Sequence, residues 1–275
     1  TGVQTCALPI SLLLSKFNKF TVPLVGGFDG VDIIEKDPFN RRVLNNKTET
    51  TSYAYNSLKV AIESIADAEV VEMNLAVIPG IQNEKLTNKL LETCEQRADA
   101  LAIIDLNGDY KTVYESTAEV KPNPDTAITN IKARNINTSY GCAFFPAVLA
   151  KDTSANALVS MPASVVALGV LGSSAAASDV WFAPAGFNRG GLSQGAAGFP
   201  VVGVKYKLTS KDRDNLYAVN INPIASFPAE GIVVFGQKTL QVTATSLDRI
   251  NVRRLMIYLK KEISRFAAKI GRAHV

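Results

Sequence analysis

Few residues in this chain could carry nucleophilic chemistry, and their usual base is missing. A Ser-His-Asp triad needs an imidazole to take the serine proton, yet the only histidine is His274, beside the carboxyl end. Cys94 and Cys142 form neither a paired metal motif nor a disulfide framework, so we interpret them as reduced core residues. Cysteine catalysis would need a lysine as its base. The sequence therefore does not predict an enzyme with a serine or cysteine nucleophile.

Carboxylates are the remaining candidates for chemistry. Asp105 ends the apolar segment 100–106, a position where α/β enzymes often place catalytic groups. Asp29, Asp32 and Asp109 could join it, so a hydrolase or a metal-dependent activity stays an alternative. A strand-end aspartate more commonly caps a loop, and the sequence has neither an H-E-x-x-H motif nor an EF-hand loop. We predict no catalytic residue, no cofactor site and no metal site.

Two glycine-containing segments suggest anion binding at first sight. The run 26–30 (G-G-F-D-G) is not followed by Gly-Lys-Ser/Thr, so a tight turn explains it better than a phosphate loop. The segment Asn188-Arg189-Gly190 could hold an anion through the arginine and backbone amides.

The residues at each end of the chain do not continue the sequence pattern beside them. Codons for residues 5–10 (T-C-A-L-P-I), read on the opposite strand and moved by one base, encode residues 270–275 (I-G-R-A-H-V). We expect residues 1–10 and 270–275 to be non-native and adapter-derived, so that the native segment, itself an internal fragment, runs from about 11 to 269. The alternative, a signal-peptide core at 6–14, lacks a basic start and a cleavage pattern. His274 then belongs to the non-native end.

The composition indicates a globular chain without a nucleic-acid or membrane partner. Leaving out Arg272, 28 basic side chains face 25 acidic ones, which is too small an excess to predict nucleic-acid binding. The apolar fraction of 47% is ordinary for a globular protein. No stretch approaches the roughly 18 continuous apolar residues of a membrane helix.

Helical and extended patterns alternate along the first part of the chain. The patterns predict helices over 52–68, 83–94 (with Asn83 as cap) and 126–134, and strands over 70–78 and 100–106. Such alternation indicates an α/β fold whose mainly parallel sheet is flanked by helices. We also expect strands at 20–32 and 139–147, a helix at 160–171, a small-residue linker at 173–178, and strands at 201–208 and 232–235. The sequence changes at 178–183 from a run of small residues to β-branched runs joined by turns. This change predicts a boundary between a domain at 11–180, truncated at its start, and a smaller, truncated α+β domain at 181–269.

An amphipathic helix is predicted after Thr245 or Ser246, with Asp248 in its first turn. At roughly 100° per residue one arc is apolar and we expect it to face the core. It comprises Val252, Leu255, Met256, Leu259, Ile263 and Phe266. The opposite arc is basic, which by itself indicates a solvated surface. It comprises Arg249, Arg253 and Lys260, with Arg254, Lys261 and Arg265 beside them.

Several short motifs in residues 183–261 resemble those of one protein family. In chain order these motifs are A-P-A-G-F-N-R-G, N-I-N-P, F-G-Q-K-T-L and D-R-I-N-V-R-R-L. Together they resemble the C-terminal region of tail sheath proteins of contractile-tailed bacteriophages. The resemblance covers about a third of the chain.

The resemblance implies a structural protein without enzymatic activity or cofactor. It implies a subtilisin-like middle domain followed by a C-terminal sheath domain. Subunits would stack as hexameric rings around the tail tube and contract on a signal from the baseplate, driving the tube through the host envelope during genome ejection. The protein would be assembled in the host cytoplasm and would lie in the virion tail.

The resemblance also implies roles for individual residues. Arg249, Arg253, Arg254 and Lys260 would face the tail tube, and Asn188, Arg189 and Gly190 would form a structural junction used in subunit packing. Family sheaths add strands from terminal arms to a neighbour's sheet. We expect this chain to lack the arms, not to polymerise, and to expose an unpaired sheet edge near 217–234. A sheath subunit of a phage-tail-like bacteriocin or a type VI-like injection system is the alternative within the same mechanism.

Overall fold

The structure, a computed structural model, describes residues 39, 48–111 and 119–271. Some of the predictions therefore lie outside the described residues. These are the turn at 26–30, the strand at 20–32, the carboxylates Asp29 and Asp32, the histidine His274 and most of both predicted non-native ends.

A five-stranded sheet forms the centre of the fold, in the order β1-β2-β3-β7-β8. The first four strands are parallel, with Ala102 paired to Gly141 and Ala143 paired to Ile221, and the last strand is antiparallel. This architecture confirms the predicted α/β fold with a mainly parallel sheet. The strands are β1 Leu75–Val77, β2 Leu101–Ile104, β3 Gly141–Phe145, β7 Ile221–Phe227 and β8 Gly231–Val234.

Helices cover both faces of this sheet. They are α1 Tyr53–Ser64, α2 Glu84–Arg97, α3 Pro124–Arg134, α4 Ala163–Ala177, α5 Ser210–Ala218 and α6 Ile250–Gly271. Alternate residues of β2 enter two different cores, Ala102 and Ile104 on one face and Leu101 and Ile103 on the other. Burial on both faces explains why this strand is apolar throughout.

Local signals placed most of these helices well. Asn83 caps α2 as predicted, accepting hydrogen bonds from the backbone N–H groups of Lys85 and Leu86. The helix ends where Ala98 adopts a left-handed conformation. The strand predicted over 70–78 is shorter, since only Leu75–Val77 pairs.

The small-residue linker predicted at 173–178 is wrong, because α4 continues to Ala177. Small side chains let this helix approach the loop beside it: Ser173 Oγ donates to the carbonyl of Ala196 at 2.7 Å. A Cβ atom on Gly169 would overlap the carbonyl oxygen of Ala197. Residues 173–177 are thus the last part of a helix, of which Ser173 contacts the neighbouring loop.

A second, antiparallel sheet of three strands has the order β5-β4-β6. Its strands are β4 Val148–Asp152, β5 Ala157–Met161 and β6 Val201–Val204. The hairpin of β4 and β5 was not predicted. The domain boundary expected at 178–183 stays a prediction, and the strands β7 and β8 that follow it share the central sheet with the strands before it.

The unpaired sheet edge expected near 217–234 is a wrong prediction. β7 lies between β3 and β8. On the outer side of β8, the N–H of Gly186 donates to the carbonyl of Val234, and the N–H of Val234 donates to the carbonyl of Gly190, both at 2.9 Å. The loop 186–190 therefore covers this edge, as protected edges commonly are.

Candidate functional site: the last helix and its contacts

The last helix packs with the opposite face from the one predicted. Ile250, Arg253, Arg254 and Ile257 are buried against the body of the protein. Most of the apolar arc expected in the core is exposed instead, with Met256 at 47%, Leu259 at 41%, Ile263 at 64% and Phe266 at 61%. Val252 and Leu255 are half-buried. Amphipathicity alone decides that a helix has two faces, whereas the neighbouring elements decide which face they cover.

Arg253 and Arg254 lie in the interior and not on a tube-facing surface. Arg253 donates to Ser139 Oγ, and its guanidinium lies 4.0 Å from the ring centroid of Tyr140. Arg254 donates to the carbonyl of Leu171 at 3.3 Å. Burial lowers the pKa of both guanidinium groups. The prediction that these two residues present charge at the surface is wrong for this structure.

Two consecutive lysines attach α6 to the end of α2 and the loop before β1. Lys260 Nζ donates to the carbonyls of Arg97 and Ala98, each at 3.3 Å. Lys261 Nζ donates to the carbonyl of Met73 at 2.5 Å and lies 3.8 Å from Asp99 Oδ2. Cations near the free carbonyls at a helix C-terminus are favourable because the helix dipole is negative there.

A buried ion pair lies beneath these lysines, and sequence reasoning missed it. Arg97 Nε and Nη2 donate to the two oxygens of Asp99 at 2.7 and 2.9 Å. Burial alone would raise the pKa of Asp99, but the hydrogen bonds and charge of Arg97 lower it overall. Arg97 also donates to the carbonyls of Ile65, Asp67 and Val71. The only local signal was the close spacing of an arginine and an aspartate.

Arg249, like Lys260, was predicted to face the tail tube and has an exposed side chain. Its Nη1 donates to the Tyr217 hydroxyl at 2.5 Å, and its Nε lies 3.3 Å from Asp248 Oδ1. Asp248 itself lies in a short 3-10 turn, Ser246–Asp248, capped by Thr245 and preceding the α-helix. Thr245 therefore caps this 3-10 turn and not the α-helix that it was predicted to cap, and Asp248 is not in the first α-helical turn. The tube contact of Arg249 and Lys260 stays a prediction.

The segment 188–190 lies within the loop 186–190 that covers the edge of β8. Arg189 lies 4.5 Å from the ring centroid of Phe182 and 3.4 Å from Ser178 Oγ. Gly190 has no room for a side chain, because a Cβ atom would lie 2.6 Å from the carbonyl oxygen of Val234. These contacts lie within one chain, and a role in subunit packing stays a prediction.

Of the carboxylates considered for catalysis, the two that the structure describes, Asp105 and Asp109, hold loops in place. Asp105 accepts from the N–H of Gly80 at 2.8 Å, the N–H of Ser164 at 3.0 Å and Ser164 Oγ at 2.6 Å. It thereby fixes the start of α4 to the end of β2, and burial raises its pKa. Asp109 accepts from the N–H groups of Tyr110 and Ala147, and burial raises its pKa to about 7.

Within the described ranges, no group of three or more histidine, cysteine, aspartate or glutamate residues is placed to hold a metal ion. Cys94 and Cys142 are free and buried. Burial raises the pKa of both thiols, that of Cys94 to about 12, so neither is a thiolate at neutral pH. No helix among the described residues combines the length and the apolar character needed to span a membrane.

Solved structures with the same fold are sheath components of contractile machines. The chain is similar to the sheath complex of an extracellular contractile injection system in its contracted state, with a TM-score of 0.55 and 22% identity over 75% of this chain and 51% of that one. It is also similar to the contracted helical sheath of the anti-feeding prophage, with a TM-score of 0.50 and 21% identity over 79% of this chain and 51% of that one. These similarities show a shared fold.

Relatives in sequence are tail sheath proteins of bacteriophages, which confirms the resemblance found in the sequence. The chain is 29% identical over 222 residues to the tail sheath protein of Vibrio phage KVP40, covering 80% of this chain and 29% of that protein. It is 38% identical over 88 residues to the tail sheath protein of Enterobacteria phage T4, covering 32% of this chain and 12% of that protein. The chain thus spans well under half the length of these relatives. No family model matches it.

Proposed function

We propose that this chain is part of a structural subunit of the contractile tail sheath of a bacteriophage. The similarity to a phage tail sheath protein over 80% of the chain carries the proposal. Many copies would polymerise around the tail tube and contract, driving the tube through the host envelope during genome ejection. The subunit would lie in the virion tail after assembly in the host cytoplasm.

The proposed partners are other copies of the subunit, the tail tube and the baseplate. Rings of six copies stacked in a helix are the arrangement that the resemblance implies. Two solved structures of the anti-feeding prophage that are similar in fold, one of its helical sheath and one of its baseplate, support the general arrangement. We propose no nucleic-acid and no membrane partner.

The protein would act without an enzymatic step or a cofactor. The hydrogen bonds of Asp105 to Gly80 and Ser164 support this, since its carboxylate already holds two segments of the chain. A hydrolase is the competing class. An Asp105-dependent hydrolytic activity, lost in Asp105→Asn while the fold is retained, would establish it.

Electron microscopy of a protein that contains this chain and has the full length of its relatives tests the proposal. The expected result is tubular assemblies whose helical repeat matches a sheath, either alone or on co-expressed tail tube. A protein that stays monomeric with its tube protein at high concentration would contradict the proposal.

A sheath subunit of a bacterial contractile injection system is the second candidate. The similarity in fold to such systems favours it. Genes for a capsid and a terminase next to this gene would indicate a phage. Neighbouring toxin genes without capsid and terminase genes would indicate an injection system.

A further inference from the structure

The two halves of α6 are attached to the body of the protein in different ways. In the first half, residues 250–257, four side chains are buried: Ile250, Arg253, Arg254 and Ile257. In the second half, residues 258–271, no side chain whose burial the structure describes is buried. We call the two segments the anchor half and the latch half. Burial fixes the anchor half, so the latch half depends on other contacts.

Two lysines make the first of these contacts. Lys260 Nζ donates to two carbonyls at the end of α2, each at 3.3 Å, and Lys261 Nζ donates to the carbonyl of Met73 at 2.5 Å. Lys261 Nζ also lies 3.8 Å from Asp99 Oδ2. These acceptors lie at the negative end of the α2 dipole, so the attraction is electrostatic.

An ion pair on the surface makes the next contact, further along the latch half. Arg265 Nη2 lies 2.5 Å from Glu72 Oε1, and the two side chains are 57% and 70% exposed. Arg265 Nη1 also pairs with Glu262 inside the helix, at 2.7 Å. Exposed ion pairs stabilise weakly and are screened by salt.

The helical structure of the latch half adds little stability of its own. An isolated helix shorter than about 15 residues is marginal in water, and the large apolar side chains Leu259, Ile263 and Phe266 are exposed and contribute no burial. The ring of Tyr258 lies 5.4 Å from that of Trp181, so the first residue of the latch half has a packed neighbour. Beyond this residue, the contacts described above are those of cations.

We propose that residues 259–271 form a charge-held latch, which opens from the body of the protein while the anchor half stays in place. Salt or a competing anion opens it by weakening the contacts of Lys260, Lys261 and Arg265. Opening frees these cations and uncovers the acceptors at the end of α2, so it changes the charge on this side of the molecule. Segments with few buried contacts are the ones that open locally. The inference goes beyond the proposed function and does not depend on it.

Hydrogen exchange in the 275-residue chain at increasing sodium chloride concentration tests the latch. In an α-helix, the N–H groups of residues 262–269 bond to carbonyls of the latch half, and those of residues 254–257 bond to carbonyls of the anchor half. From about 0.01 M to about 1 M salt the Debye length falls from about 30 Å to about 3 Å. Exchange at 262–269 should accelerate about tenfold, and exchange at 254–257 less than about twofold.

Lys261→Met should open the latch without added salt. Methionine has a helix propensity similar to that of lysine, but it has neither the charge nor the N–H donors. Exchange at 262–269 in low salt should accelerate about tenfold, and its response to salt should shrink. Lys269→Met is the matched control: Lys269 is exposed and lies 5.9 Å from the ring centroid of Phe266 in its own helix. It should change these rates less than about twofold.

Three results would overturn the latch. They are an equal response of both halves to salt, which would show that α6 opens as one unit, no response of 262–269 to salt, and an effect of Lys269→Met as large as that of Lys261→Met. Exchange in α2 shows whether each variant keeps its fold. If exchange in α2 also accelerates in Lys261→Met, the salt series on the parent chain decides alone.

Discussion

Arg253 shows how far the environment of a single residue can differ from what its charge suggests. Its side chain is buried, stacks on Tyr140 and donates to Ser139. Among the described residues it forms no ion pair, so the cation–π contact and the hydrogen bond are what offset the loss of its hydration. Its position in the middle of the interface between α6 and the body makes it a structural residue.

Charge reversal at Arg253 should therefore strongly destabilise the protein. Arg253→Glu places an unpaired carboxylate in this interface, and we expect a loss of more than about 3 kcal/mol in the free energy of unfolding. Arg249→Glu is the control, because the Arg249 side chain is 43% exposed, and it should cost less than about 1 kcal/mol. Urea denaturation measures both. Equal stability of the two variants would contradict the buried position of Arg253.

Asp109 should make stability depend on pH. Its pKa is raised by burial from 3.8 to about 7. Between these values the folded state keeps the proton and the unfolded state loses it, so stability falls as pH rises, by up to about 1.4 kcal/mol per unit. Asp109→Asn removes this dependence. Its stability advantage over the parent chain should grow from about pH 4 to pH 7 and then stay constant, as measured by denaturation at several pH values; a constant difference throughout would contradict the raised pKa.

Helix α4 contains two glycines, and a close neighbour requires only one of them to be small. A Cβ atom on Gly169 would meet the backbone of Ala197, whereas a Cβ atom on Gly172, one turn further, would have no neighbouring atom within 4 Å. The two glycines therefore face different surroundings in the same helix. Sequence propensity treats them alike.

Alanine substitution should separate these two glycines. Gly172→Ala is expected to stabilise by about 0.5–1 kcal/mol, because alanine loses less backbone entropy on helix formation. Gly169→Ala is expected to destabilise by about 1–3 kcal/mol, because the new methyl group overlaps a carbonyl that is fixed in the backbone. Thermal denaturation measures both changes. A stabilising Gly169→Ala would show that α4 and the loop at 197 are less closely packed.

The orientation of α6 can be tested with a pair of lysine substitutions. Ile263→Lys lies on the exposed apolar face of α6 and should change the free energy of unfolding by less than about 0.5 kcal/mol. Ile257→Lys buries an unpaired ammonium group and should cost more than about 3 kcal/mol. If Ile263→Lys were the more damaging variant, the apolar arc would face the core as its sequence suggests.

Across the whole molecule, the described part of the chain after residue 37 forms one compact unit. β7 pairs with β3 in the central sheet, and α6 contacts the end of α2 and the loop before β1. Elements on both sides of the boundary predicted at 178–183 thus share one sheet and one set of cores. Their stabilities are coupled through these contacts.

This coupling predicts that the two parts unfold together. We expect a single calorimetric transition whose measured enthalpy equals the van't Hoff enthalpy. Cleavage at an engineered protease site within 178–183 should lower the unfolding temperature of the nicked protein without producing a second transition. Two separate transitions in the intact chain would support two independently folding domains.

Features that depend on neighbouring residues could be predicted from the amino-acid order alone. Alternating helical and strand patterns indicated the α/β class, Asn83 marked the cap of α2, and the motifs between 183 and 261 carried the resemblance to tail sheath proteins. Each structural signal of this kind is local, because hydrogen bonds within a turn or a helix involve residues a few positions apart.

Which surfaces are buried depends instead on contacts between distant parts of the chain. The face of α6 that packs inward is set by Ser139, Tyr140 and Leu171, and the edge of β8 is closed by a loop that precedes β6. An amphipathic pattern states that two faces differ, but the free energy of burial depends on what lies opposite each face. The apolar arc of α6 is therefore visible in the sequence, while its exposure follows from the fold.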